Sequence, residues 1–166
     1  MALFDMIKAD LKTAMKSHDD ELKTVLRSVL AVIDNARIDG KNVNDDNVII
    51  AIISKAVKER ETNAAEYERI VNGEITADKD AVERARAHAL IERNEADALR
   101  KYLPASASQE QIDGIVDTAI KETGASTIRD MGTVMSAVRG IIRTDDYKNL
   151  LVDMSTVSKT VKARLA

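Results

Sequence analysis

Arg100-Lys101-Tyr102-Leu103-Pro104 decides how this chain is divided. It carries the only proline of the 166 residues, between two stretches that both have helical periodicity. Proline has no backbone N–H, and it pushes the preceding residue out of the α region. A long helix is therefore expected to stop near Leu103, with a second unit beginning at Pro104.

Working outward, apolar residues recur at helical spacing almost everywhere. Phe4, Ile7, Leu11, Ala14 and Met15 mark a first helix. Ser17-His18-Asp19-Asp20 reads as a break and a cap. Leu22, Val25, Leu26, Val29, Val32, Ile33 and Ala36 form the stripe of a second helix ending near Asp39-Gly40. Asn44 or Asp45 caps a third, whose stripe runs through Ile49, Ile52, Ile53, Ala56, Val57, Ala64, Tyr67 and Val71 to a stop at Asn72-Gly73. A fourth starts within Thr76 to Asp80. Its stripe is thin (Val82, Ala85, Ala89, Leu99), so its early part is expected to be exposed or loosely packed.

Beyond Pro104, Ser108-Gln109-Glu110-Gln111 fits a capping box, in which serine and glutamine satisfy each other's free N–H groups. Ile112, Ile115, Val116, Ala119 and Ile120 follow, and Gly124 ends that helix. Another begins at Thr127 or Asp130 and buries Val134, Met135, Val138, Ile141 and Ile142. Asp153 or Ser155 caps a last one, with Met154, Val157, Val161 and Leu165 inward. No alternating strand pattern competes. The fold class is all-α, with an N-terminal four-helix domain at residues 1–103 and a small C-terminal three-helix domain at 104–166.

Composition narrows the chemistry. The core must be aliphatic, because the aromatic residues are only Phe4, Tyr67, Tyr102 and Tyr147. There is no cysteine, which excludes disulfides and thiol catalysis. The longest strongly apolar run, Val48 to Ile53, is too short to span a bilayer, and Asp5, Lys8 and Asp10 interrupt any secretory signal. A cytoplasmic protein without membrane contact is expected. The net charge of −3 does not mark a nucleic-acid binder overall, but residues 129–166 hold 7 basic and 4 acidic side chains. Any polyanion site belongs at that end.

No catalytic centre, metal site or cofactor site emerges. His18 and His88, the only histidines, read as surface residues. Asp19-Asp20 and Asp45-Asp46 sit at helix starts, where carboxylates favour the helix dipole. The candidate site is a polar face. Gly132, Ser136, Arg139 and Arg143 share one side of a helix, opposite Val134, Val138, Ile141 and Ile142. Ser155, Lys159 and Lys162 share a side of the last helix. Small residues admit a close approach, and Arg or Lys then meets phosphate oxygens. With no aromatic platform for stacking bases, recognition would follow the shape of a folded RNA.

Several segments resemble the GatB/YqeY family, which comprises free-standing YqeY-like proteins and the tail domain of the B subunit of glutamine-dependent Glu-tRNA/Asp-tRNA amidotransferase. They are Lys8 to Lys16, Thr24 to Leu30 with Ile33 to Ala36, Lys58-Glu59-Arg60-Glu61 to Tyr67-Glu68, Tyr102-Leu103-Pro104, and Asp130-Met131-Gly132-Thr133-Val134-Met135. The resemblance covers nearly the whole chain and implies the same four-plus-three helical organisation. It also implies a module that contacts tRNA through its C-terminal domain, with any carbon–nitrogen ligase chemistry (glutamine as amido donor) supplied by amidotransferase partner subunits. Two segments depart from the family pattern: residues 72–86 are longer and more charged, and 145–151 replaces a small basic glycine turn. A module that binds other proteins, with no RNA role, is the competing expectation.

Overall fold

The computed structural model describes residues 2–147 and 149–166. The fold is all-α, with seven α-helices among the described residues and no strand beyond one isolated bridge. The helices are α1 (Leu3–Lys16), α2 (Asp20–Ile38), α3 (Asp46–Val71), α4 (Lys79–Arg100), α5 (Gln109–Thr123), α6 (Met131–Ile141) and α7 (Met154–Leu165). They form two compact units, residues 1–103 and 104–166.

Helix starts are set by side chains that satisfy the free N–H groups of the first turn. Asp19, Asp45, Asp78, Ser108 and Asp153 each accept from a backbone N–H in the next turn. Ser108 and Gln111 close the reciprocal capping box. Ala2, ahead of α1, has no side chain to offer. Instead the Leu3 N–H donates to Asp46 Oδ1 at 2.9 Å, so the first residue of α3 caps α1 across 43 positions of sequence. Gly124 ends α5 in the left-handed conformation, φ 65°. A single 3-10 turn, Ile128–Asp130, precedes α6.

In the first unit Ile7, Val25, Leu26, Val29, Ile33, Ile49, Ile53 and Leu99 are almost fully buried in one aliphatic core. α3 supplies Ile49, Ile53 and Val57 to it, and α4 supplies Ala96 and Leu99. Both helices run on past the core. There Ala64, Ala85 and Ala89 are buried where the two pass each other. Residues 79–84 of α4 are exposed or half-buried, as expected, but from Ala85 onward the helix is packed along α3, because methyl groups let two helix backbones approach closely. Three cross-links border this seam. Arg93 clasps Glu68 with two hydrogen bonds of 2.7 and 2.8 Å, Asn63 donates to Glu92 at 3.2 Å, and the Tyr67 and His88 rings stack with centroids 5.1 Å apart.

Two other expectations shift. Val32 and Met15, assigned to inward stripes, are 51% and 49% exposed. Each lies at the margin of its helix's apolar arc: Met15 meets the Arg27 guanidinium of α2 at 3.9 Å, and Val32 lines an open groove with α3. α4 ends at Arg100, three residues before Leu103. Tyr102 and Leu103 then close a turn through N–H bonds to the carbonyls of Leu99 and Arg100.

The second unit has its own core of Ile112, Ile115, Val116, Ala119, Val134, Val138, Val157, Val161 and Leu165. The short extended piece after Pro104 belongs to it. The Leu151 N–H donates to the Ala105 carbonyl and the Ala107 N–H to the Leu151 carbonyl, both at 2.9 Å. Of the departing segment 145–151, Lys148 lies outside the described residues.

Tyr102 fastens the end of the first unit. Its ring is buried, and its hydroxyl donates to Asp10 Oδ2 at 2.6 Å, across 92 positions of sequence. Burial first, and then the Asp10 carboxylate, push the phenol above its ordinary 10.0. The neutral phenol is thus the form the fold holds, and its share of stability is complete below pH 10 or so and lost as pH rises past that value. Tyr102→Phe is expected to cost about 1 kcal/mol at neutral pH. It is also expected to remove part of the wild-type loss of stability above about pH 10. Urea unfolding at neutral and alkaline pH measures both effects.

Candidate nucleic-acid interface

The site follows from which faces of α6 and α7 the second core consumes. At about 100° per residue, Val134, Val138 and Ile141 cluster on one side of α6, with the two valines fully buried. Gly132, Ser136 and Arg139 fall on the opposite arc, and all three are exposed. Arg143 lies just past α6, where its N–H turns back to the Gly140 carbonyl at 3.2 Å, and it is exposed too. On α7, burial of Val157, Val161 and Leu165 leaves Ser155, Lys159 and Lys162 facing solvent. α6 and α7 pack against each other within this unit.

Exposure alone does not make a cation available. Arg164, also on α7, shows the contrast. Its guanidinium reaches across to α5 and meets Asp117 at 2.7 Å and Asp113 at 3.8 Å. That arginine ties two helices together. Among the described residues, Arg139, Arg143, Lys159 and Lys162 have no carboxylate partner. The structure adds an exposed cation that the helical-face argument passed over, Arg129. It sits in the 3-10 turn ahead of α6, where an α-helical wheel assigns no face.

The nearby carboxylate Asp130 is occupied. It accepts from the Ser126 and Thr127 N–H groups at 3.1 and 3.0 Å and from the Thr127 hydroxyl at 3.0 Å. These bonds hold its carboxyl below the usual aspartate range. Asp153 is likewise engaged at the start of α7, with the Ser155 and Thr156 N–H groups and the Thr156 hydroxyl.

Two glycines lie in this stretch of α6. A Cβ added at Gly132 or Gly140 would meet no atom within 4 Å, and neither residue has a positive φ. Neither internal packing nor backbone geometry asks for glycine there, although glycine inside a helix costs roughly 0.5–1 kcal/mol relative to alanine.

Such a face is suited to charge-assisted hydrogen bonds with phosphate oxygens. The two histidines lie in the first unit, and both are exposed. His18 takes a left-handed conformation, φ 57°, in the break after α1, and His88 stacks on Tyr67. Among the described residues no group of three or more histidine, aspartate or glutamate side chains is placed to hold a metal ion, and no helix is long and apolar enough to cross a membrane.

Comparison with known proteins adds the family. The model of the family described as "Yqey-like protein" matches residues 4–165. Three fungal proteins named "Altered inheritance of mitochondria protein 41, mitochondrial" are similar to this chain. That of Clavispora lusitaniae is 30% identical over 112 residues, 66% of this chain and 58% of that protein. That of Pyrenophora tritici-repentis is 26% identical over 149 residues, 85% and 74% of the two chains. That of Saccharomyces cerevisiae strain YJM789 is 24% identical over 163 residues, 97% and 80%. The chain thus spans little more than half of the Clavispora relative, but most of the other two. The family match runs through both compact units, and the chain belongs to the YqeY-like family.

Proposed function

We propose that this protein is a non-catalytic helical module that binds folded tRNA through the solvent face of α6 and α7. In this reading it serves glutamine-dependent tRNA amidation alongside partner subunits that carry the ligase chemistry. The observation that supports it most is the set of exposed cations without carboxylate partners among the described residues, Arg139, Arg143, Lys159 and Lys162, beside Gly132 and Ser136. Family membership agrees with it. No cofactor enters this reading, and the cytoplasm is the proposed compartment. The word "mitochondrial" belongs to the names of the relatives. The second reading, a protein-interaction module without an RNA role, draws on the net charge of −3 and on exposed Leu90 and Ile91 of α4.

Four phosphate contacts imply a log–log salt slope of about −3 to −4. Filter binding with folded tRNA across a salt series is expected to give that slope. Arg139→Glu combined with Arg143→Glu should reduce it by about 2. Absence of binding at low salt, or binding indifferent to the double reversal, would leave the protein-interaction reading. Gly132→Ala and Gly140→Ala separate fold from function. Each is expected to stabilise the protein by roughly 0.5–1 kcal/mol in thermal unfolding while weakening tRNA binding, because the added methyl group stands where the backbone of the RNA approaches.

A further inference from the structure

The outer face of α4 is exposed along the whole helix and carries an exposed leucine, Leu90. Ala85, Ala89, Ala96 and Leu99 turn toward α3 and the core. On the other side lie Glu83, Ala87, Leu90, Asn94, Asp97 and Lys101, spaced 4, 3, 4, 3 and 4 residues apart, and every one of them is exposed. This is the spacing of a coiled-coil seam. Leu90 is 62% exposed and the adjoining Ile91 46%. The stripe covers about 27 Å of helix at 1.5 Å per residue.

The order of residues along this stripe is self-complementary. When two copies of α4 run antiparallel about a two-fold axis beside Glu92, Glu83 falls opposite Lys101, Ala87 opposite Asp97, and Leu90 opposite Asn94. All three juxtapositions arise from a single register, and Glu83–Lys101 is the oppositely charged one. Arg86, one position from Ala87, then comes within reach of Asp97 of the other copy. Among the described residues Glu83, Arg86 and Lys101 have no ion-pair partner, and Asp97 holds Arg100 of its own chain. Ala87 and Leu90 supply the apolar part of the seam.

We propose that this face of α4 is a self-association surface, and that its occupant is α4 of a second copy packed antiparallel about a two-fold axis. A two-fold contact requires one patch to complement itself, and the placing of Glu83 and Lys101 at opposite ends meets that requirement. A uniformly basic or acidic partner helix would leave one end matched and the other repelled. A seam of this length lies at the weak, transient end of protein interfaces, so the dimer should dissociate on dilution. The proposal is independent of the tRNA reading, which uses the other unit.

Sedimentation equilibrium of the full chain over about two decades of concentration, reaching the high micromolar range, tests it. The expected result is a mass rising from 18.2 kDa toward twice that value. Leu90→Glu, at an exposed site, should abolish the rise with an unchanged circular dichroism spectrum. Glu83→Lys and Lys101→Glu should each weaken the dimer about tenfold, since each places like charges opposite at both ends. The double variant should restore association to near the wild-type level. A monomer at every concentration would overturn the proposal. So would a dimer indifferent to Leu90→Glu, or a double charge swap that fails to restore what the single swaps remove. A different helical partner that competes at this face while the chain alone stays monomeric would also count against it.

Discussion

Burial of narrow aliphatic stripes governs the rest of this structure. With four aromatic residues in the whole chain, large rings supply little of either core, and Tyr102 is the buried ring of the first. Each unit is instead assembled from isoleucine, valine, leucine and alanine at helical spacing. In the second unit Ile115, Val116, Val134, Val138, Val157 and Val161 are fully buried. Each such side chain contributes roughly 1.5–3 kcal/mol when removed from water. Rotating α6 or α7 to bury Arg139 or Lys159 would forfeit that gain and strand a charge in an apolar interior. The cationic face is thus held outward by the valines on the opposite side.

Polar side chains then refine what the apolar stripes have placed. Arg60 illustrates this in the first unit. It meets Glu95 at 2.7 Å, the Ala56 carbonyl at 3.2 Å and the Ser28 hydroxyl at 3.1 Å, joining α3, α4 and α2. Its side chain is 15% exposed and that of Glu95 22%, so the pair is shielded from water more than the surface ion pairs around it. Tyr102 and Asp10 do similar work between α1 and the turn that follows α4. In the second unit Arg164 joins α7 to α5. A cation engaged in this way is part of the scaffold. A cation left without a carboxylate is available to an external anion.

Much of this was legible in the order of residues. The capping aspartates, the Ser108–Gln111 box, the left-handed Gly124 and the alternation of stripes mark the helices within a few positions. The polar arc of α6 and α7 follows from the same periodicity. The periodicity of α4 placed Ala85 and Ala89 inward, but how closely they pack on α3 was not legible, since alanine is equally at home on a surface and in a close helix contact. Nor was the exposure of Val32, because a stripe's width does not say how many neighbours will cover it. Arg129 escaped because a 3-10 turn does not follow the helical wheel.

The sequence by itself determined where helices begin and end and which side of each is apolar. Those properties depend on neighbours within about four residues, through capping bonds and the helical repeat. Only the tertiary structure decided which cations are engaged and which are free. Arg164 finds Asp117 across 47 positions of sequence, whereas Arg139 and Lys159 find no carboxylate among the described residues. An ion pair between helices depends on the side chains that packing brings within a few ångströms, and one-dimensional order does not contain that distance.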